Sequence, residues 1–144
     1  MNVLILNGPN LNLLGTRQPD VYGNKTLADV EAELGALAGP LGVTLDCRQS
    51  NLEGELITWI QEARDGTSAI LINPGAYTHT SVGIRDALLA VKIPAFEVHI
   101  SNVYQREAFR HTSFIADVVV GRVIGFGADG YRLALEGAVR HLTE

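Results

Sequence analysis

Glu97-Val98-His99 sets a carboxylate and an imidazole two positions apart. In a strand, alternation turns both to one face, where the carboxylate can hold the imidazole in a single tautomer, an arrangement that suits a general acid. Ile100, Ser101 and Asn102 follow, and then Arg106 and Arg110 at i, i+4 spacing, which is one helical face if the segment is helical. Two guanidiniums near a strand end can receive a carboxylate through forked hydrogen bonds. The plainer alternative is a solvated basic face paired with Glu107 or Asp117.

Two other stretches offer chemistry. The segment from Asn7 to Gly23 carries Asn10, Arg17 and Tyr22, with Gly15 and Gly23 bracketing the last two as hinges. It is long for a strand-to-helix connection, and long loops in compact folds are often binding loops or lids; a surface loop with a solvated Arg and Tyr is the other reading. The segment Asn73-Pro74-Gly75-Ala76-Tyr77-Thr78-His79-Thr80-Ser81 sets Asn73 at a strand end and His79 near a helix start, where backbone N–H groups attract anions. Asn-Pro-Gly is also ordinary turn chemistry, and Thr80 or Ser81 can serve only as a helix cap.

The elements that must position these residues are legible as alternating patterns. Short apolar runs at Val3–Leu6, Val43–Leu45, Ala69–Ile72, Ala95–Ile100 and Val118–Ile124 read as strands, several of them continuous, as in strands buried on both faces. Between them lie amphipathic stretches. Thr26 with Asp29 forms a capping box before Leu27, Val30, Leu34 and Leu37, and Gly39-Pro40 ends that helix. Leu56, Ile60 and Ala63 mark a second helix. Val82, Leu88 and Val91 lie in a third, Glu107 to Phe114 in a short fourth, and Tyr131, Leu135, Ala138 and Leu142 in the last. Strand and helix in alternation predict an α/β fold, one domain over residues 1–144. The predicted architecture is a flavodoxin-like three-layer sandwich on a five-stranded parallel sheet of order 2-1-3-4-5. Ligands of such sheets bind beyond the carboxyl ends of the strands. The three stretches above are the loops after strands one, three and four, so they share that edge.

Composition narrows the alternatives. Hydrophobic residues at 47% and charged residues at 19% of 144 are globular proportions. A net charge of −5 argues against a nucleic-acid partner, but not against a small anionic substrate met by a local arginine cluster. No apolar run approaches the ~18 residues that span a bilayer, and Asn2–Asn7 reads as a strand without a leader pattern before it. The lone Cys47 points to a reducing compartment, so the cytoplasm is expected, and its surroundings read as those of a small hydrophobe.

No metal site is expected, because His79, His99, His111 and His141 lack close ligand spacing. Lys25 and Lys92 are the two lysines, and neither supports imine chemistry. Gly125-Phe126-Gly127-Ala128-Asp129-Gly130 matches a dinucleotide fingerprint, but 14 residues beyond it leave no room for the acidic strand that must follow. It reads as a tight strand-to-helix turn, and no cofactor is expected. A flavin-binding module would want a Ser/Thr-rich first loop, where Thr16 is the single such residue here, and a response-regulator-like module would want acids where Asn7 and Asn73 stand. A scaffold that has lost activity stays open.

Taken in order, Asn7-Gly8-Pro9-Asn10-Leu11-Asn12-Leu13-Leu14-Gly15, Arg17, Tyr22-Gly23, Asn73 to Ser81, Glu97 to Asn102, Arg106, Phe109-Arg110, Gly125-Phe126-Gly127 and Gly130-Tyr131 closely resemble type II 3-dehydroquinate dehydratases. The resemblance runs from residue 2 to about 142. It implies a lyase of the shikimate pathway, serving aromatic amino acid biosynthesis, that dehydrates 3-dehydroquinate to 3-dehydroshikimate without a cofactor. It also implies a homo-oligomer, a dodecamer of trimers. By matching positions, Tyr22 would remove the C2 proton, Arg17 would assist the tyrosine and the enolate, and Asn10 would hold a water near the oxyanion. His99 would protonate the departing hydroxyl. Asn73, His79, Ile100, Ser101 and Arg110 would bind substrate, Glu97 and Arg106 would support them, and Asp86 would reach a neighbouring subunit's site. The demand on the base is steep. A phenol of pKa about 10 must fall by roughly 3 units, or about 4 kcal/mol, and one cation ~4 Å away supplies on the order of that amount.

Overall fold

The computed structural model describes residues 1–16, 20 and 23–144. Five strands, β1 (Asn2–Asn7), β2 (Thr44–Gln49), β3 (Ala69–Asn73), β4 (Ala95–His99) and β5 (Gly121–Ile124), form one sheet in the order β2-β1-β3-β4-β5. Every pairing is parallel. The expected fold class and strand order are therefore observed.

Alternation along the central strands builds two cores. Val3 and Ile5 of β1, Ala69 and Leu71 of β3, and Phe96 and Val98 of β4 face α1 (Leu27–Leu41) and α4 (Asp129–Thr143). Leu4, Leu6, Ile70, Ile72 and Ala95 face α2 (Glu53–Glu62) and α3 (Val82–Val91) on the other side. The central strands β1, β3 and β4 are buried almost throughout, whereas the edge strands β2 and β5 are half-covered. This is why the first three read as continuous apolar runs. No helix of the described residues is long and apolar enough to cross a membrane.

Three local expectations need correction. The first helix does not stop at Gly39-Pro40 but carries Pro40 in its last turn. It ends at Gly42, whose φ of 71° lets its N–H reach Gly39 O, while the N–H of Val43 reaches Ala38 O. That is the Schellman closure, and it needs the left-handed residue after the last turn rather than at the proline. Strand five begins at Gly121, not Val118. The N–H groups of Val118 and Val119 bond Ile115 O in a turn, and both side chains pack on the α2/α3 core. The segment from Glu107 to Phe114 is not an α-helix. It holds a 3₁₀ turn at Ala108–His111, preceded by another at Val103–Gln105. The capping box at Thr26 and Asp29 is present as expected, with both reciprocal bonds made.

Candidate active site

Beyond the carboxyl ends of β1, β3 and β4 lies a cleft of about 240 Å³. The loop after β1 supplies Pro9, Asn10 and Leu11. Asn73, Gly75, Ala76 and His79 come from the end of β3 and its 3₁₀ turn. His99, Ile100, Ser101, Val103, Arg106 and Arg110 come from β4 and the segment after it. Three stretches far apart in sequence thus meet at one sheet edge.

Close backbone packing holds the first two loops together. A Cβ on Gly8 would lie 2.3 Å from Pro74 O, a contact no side chain tolerates. Gly8 N–H donates to Asn73 O at 2.8 Å. Asn10 stands in the left-handed region at φ 69°, and its N–H donates to Asn51 Oδ1 at 3.0 Å. Gln49 Nε2 donates to Gly8 O at 3.1 Å, and Tyr77 Oη donates to Asn51 O at 2.7 Å. The loop after β2 therefore buttresses the cleft, which the sequence reading missed.

Asn73 is buried, and its side chain is already engaged. Its Nδ2 donates to Tyr131 Oη at 2.9 Å, and its Oδ1 accepts from Gly75 N–H at 3.1 Å. Tyr131 Oη in turn donates to Asn7 Oδ1 at 2.5 Å. Asn7 and Asn73 are register partners at the ends of β1 and β3, so one buried phenol from α4 ties both strand ends. Burial pushes the Tyr131 hydroxyl well above the usual phenol range, so it serves as a fixed hydrogen-bonding group.

The chemical centre is the β4 pair. Glu97 has no exposed surface and His99 is 6% exposed. His99 Nε2 donates to Glu97 Oε2 at 2.5 Å, as alternation along the strand predicts. Thr78 Oγ1 donates to the same carboxylate at 2.8 Å, Ser113 Oγ at 3.0 Å and Arg122 Nε at 2.8 Å. Burial alone pushes the Glu97 carboxyl up. The bonds and charge from His99, the Thr78 bond and the Arg122 charge outweigh it and hold the carboxyl down at about 2. Glu97 is thus an ionised anchor, and His99 Nδ1 is left as the ring nitrogen available for proton transfer. His79 is the opposite case. Its Nδ1 donates to Thr112 O at 2.8 Å, and burial pushes its pKa below the ordinary value. It therefore meets a ligand as a neutral imidazole, with ring centroid 6.4 Å from that of His99.

At the mouth, Arg106 Nη1 donates to Ser101 Oγ at 3.4 Å, and Arg110 is ion-paired with Glu107. The turns after β4, rather than one helical face, bring both guanidiniums to the cleft. Arg17 and Tyr22 lie outside the described residues. Asp86 is exposed on α3 and is not brought to the cleft of its own chain. Thr78, Ser113 and Arg122 were missed as supports of Glu97. A signal existed for Arg122, a lone charge in the apolar run read as the fifth strand.

The family model for class II dehydroquinases matches residues 1–139. A "3-dehydroquinate dehydratase" of Sodalis glossinidius is 58% identical over 142 residues, covering 99% of this chain and 95% of that protein. "3-dehydroquinate dehydratase 2" of Pseudomonas aeruginosa is 58% identical over 134 residues, covering 93% and 90%. The crystal structure of a type II dehydroquinase from Butyrivibrio crossotus superposes with a TM-score of 0.94 at 46% identity, covering 96% of this chain and 97% of that one. With its sheet order, its cleft and these likenesses together, the chain belongs to the class II dehydroquinase family.

Proposed function

We propose that the cleft dehydrates 3-dehydroquinate to 3-dehydroshikimate by removing a proton from C2, forming an enolate, and then expelling the neighbouring hydroxyl with acid assistance. The family makes the chain a 3-dehydroquinate dehydratase, a carbon–oxygen lyase acting on a small substrate of the shikimate pathway. The route and the residue roles are the proposal. The reaction asks for one base, one acid and a stabiliser of the oxyanion.

In this reading Tyr22 is the base, and Arg17 favours its phenolate and the enolate. Asn10 holds a water against the developing oxyanion. His99 gives its Nδ1 proton to the departing hydroxyl, oriented by Glu97. Asn73 and neutral His79 hydrogen-bond the substrate's hydroxyls. The backbone at Ile100 and Ser101, with Arg110, receives the carboxylate, and Arg106 supports that corner through Ser101. Residues 1–144 act as one catalytic domain. Asp86 completes the site of a neighbouring subunit in a dodecamer of trimers, working in the cytoplasm.

The observation that carries the reading is the buried, ionised Glu97 holding His99 Nε2 at 2.5 Å on the floor of the cleft. A general acid in such a setting has its tautomer fixed and its free nitrogen presented. Absorbance of the conjugated enone tests the activity. Full rates after metal chelation and after borohydride treatment are expected for a route without metal or imine. His99→Ala should slow water loss by roughly a hundredfold or more, with a smaller effect on exchange of the C2 proton with solvent. Equal loss in both would remove His99 from the acid's role.

A further inference from the structure

Arg122 is the single charged residue of β5. In the parallel register it is the Cα partner of Glu97, so adjacent strands bring the two side chains together on one face. The guanidinium contacts both carboxylate oxygens, including the one that His99 holds. Its Nε donates to Oε1 at 2.8 Å, its Nη2 to Oε2 at 3.4 Å, and its Nη1 to Tyr104 Oη at 2.9 Å. The arginine side chain is 18% exposed and the glutamate not at all. In so little solvent a charge–charge contact is screened weakly. The His99 imidazole and the Arg122 guanidinium therefore share one carboxylate.

We propose that Arg122, braced by Tyr104, is a positioning residue for the dehydration: it fixes the carboxylate oxygen that orients His99 and, by sharing the charge of Glu97, makes His99 the stronger proton donor. This rests on His99 acting as the acid, as proposed above. The sign follows from electrostatics. An ionised Glu97 alone favours a proton on the imidazole, and a neighbouring guanidinium offsets that preference. The other groups facing the pair are the Thr78 and Ser113 hydroxyls, which donate to Glu97, and His79 on the turn after β3. Arg106 and Arg110 stand in the segment after β4, at the cleft mouth. Arg122 adds a formal positive charge in direct contact with the carboxylate.

The test compares the wild type with Arg122→Gln, Arg122→Lys, Tyr104→Phe, His99→Ala and the Arg122→Gln/His99→Ala double variant. Two rates on 3-dehydroquinate are followed across neutral and alkaline pH: enone formation, and C2 deuterium exchange by NMR. Arg122→Gln should cut enone formation roughly tenfold with a smaller loss of exchange, and move the alkaline limb of its kcat–pH profile up by about one unit. Arg122→Lys should restore part of both. Tyr104→Phe should shift both in the same direction by less, and with Arg122→Lys it carries the test if Arg122→Gln does not fold. In the His99→Ala background Arg122→Gln should add nothing. An unmoved limb with both rates scaled equally, or an undiminished effect without His99, would overturn the proposal. Failure of the underlying reading is seen separately, as intact enone formation in His99→Ala alone, and that result overturns both.

Discussion

Glu97 keeps its charge in the middle of the fold because four neighbours, His99, Thr78, Ser113 and Arg122, all donate to it. Leaving Arg122 without its buried counter-charge is far costlier than losing a surface pair. The carboxyl stands at about 2 in the fold against an ordinary 4.5. Because the folded value is the lower one, its contribution to stability is complete above about pH 4.5 and disappears as pH falls toward 2. The size is roughly 3 kcal/mol. Urea midpoints taken between neutral and acid pH should decline over that window, and Glu97→Gln should be less stable at neutral pH and lose most of the decline. A variant as acid-sensitive as the wild type would place the sensitivity elsewhere. At Cys47, burial pushes the thiol up to about 11, which fits its reading as a packing residue and leaves it almost entirely protonated at neutral pH.

At the scale of elements, the cleft depends on loops whose backbones touch. Replacing Gly8 with Ala puts a methyl into Pro74 O and forces the loops after β1 and β3 apart. The expected cost is about 1–3 kcal/mol in a urea melt, with a fall in kcat/KM of at least tenfold from displacement of the His79 turn relative to Asn10. A variant with unchanged kinetics would show that the two loops need no fixed spacing. The same elements show what sequence periodicity can carry. The capping box at Thr26 and the Glu97–His99 pairing were legible because each follows from a spacing of two or three residues, and the strand order because five apolar runs alternate with helices. The brace from the end of β2 and the loop after it was not, since Gln49 and Asn51 act on Gly8 and Asn10 across 41 residues. The late start of β5 was hidden because an apolar run serves a packed turn as well as a strand. The 3₁₀ turns after β4 were read as a helix because i, i+4 arginines look alike in either case until the backbone bonds are known.

For the molecule as a whole, a net charge of −5 coexists with two arginines at the cleft, so in the proposed reaction the local field and not the global sign meets the carboxylate. Asp86 is exposed on a helix of the opposite core from α1 and α4 and takes no part in the cleft of its own chain. If it completes a neighbour's site, Asp86→Ala should impair kcat/KM, and mixing it under subunit exchange with inactive His99→Ala should recover activity that neither possesses alone. No recovery in mixed oligomers verified by mass would confine each site to one chain. The phenol of Tyr131 carries a consequence for biogenesis. The first strand to be synthesised ends in an amide that waits for a hydroxyl 124 residues downstream. The rim of the cleft therefore sets only once α4 has been made and packed, since that tie joins the most distant parts of the fold.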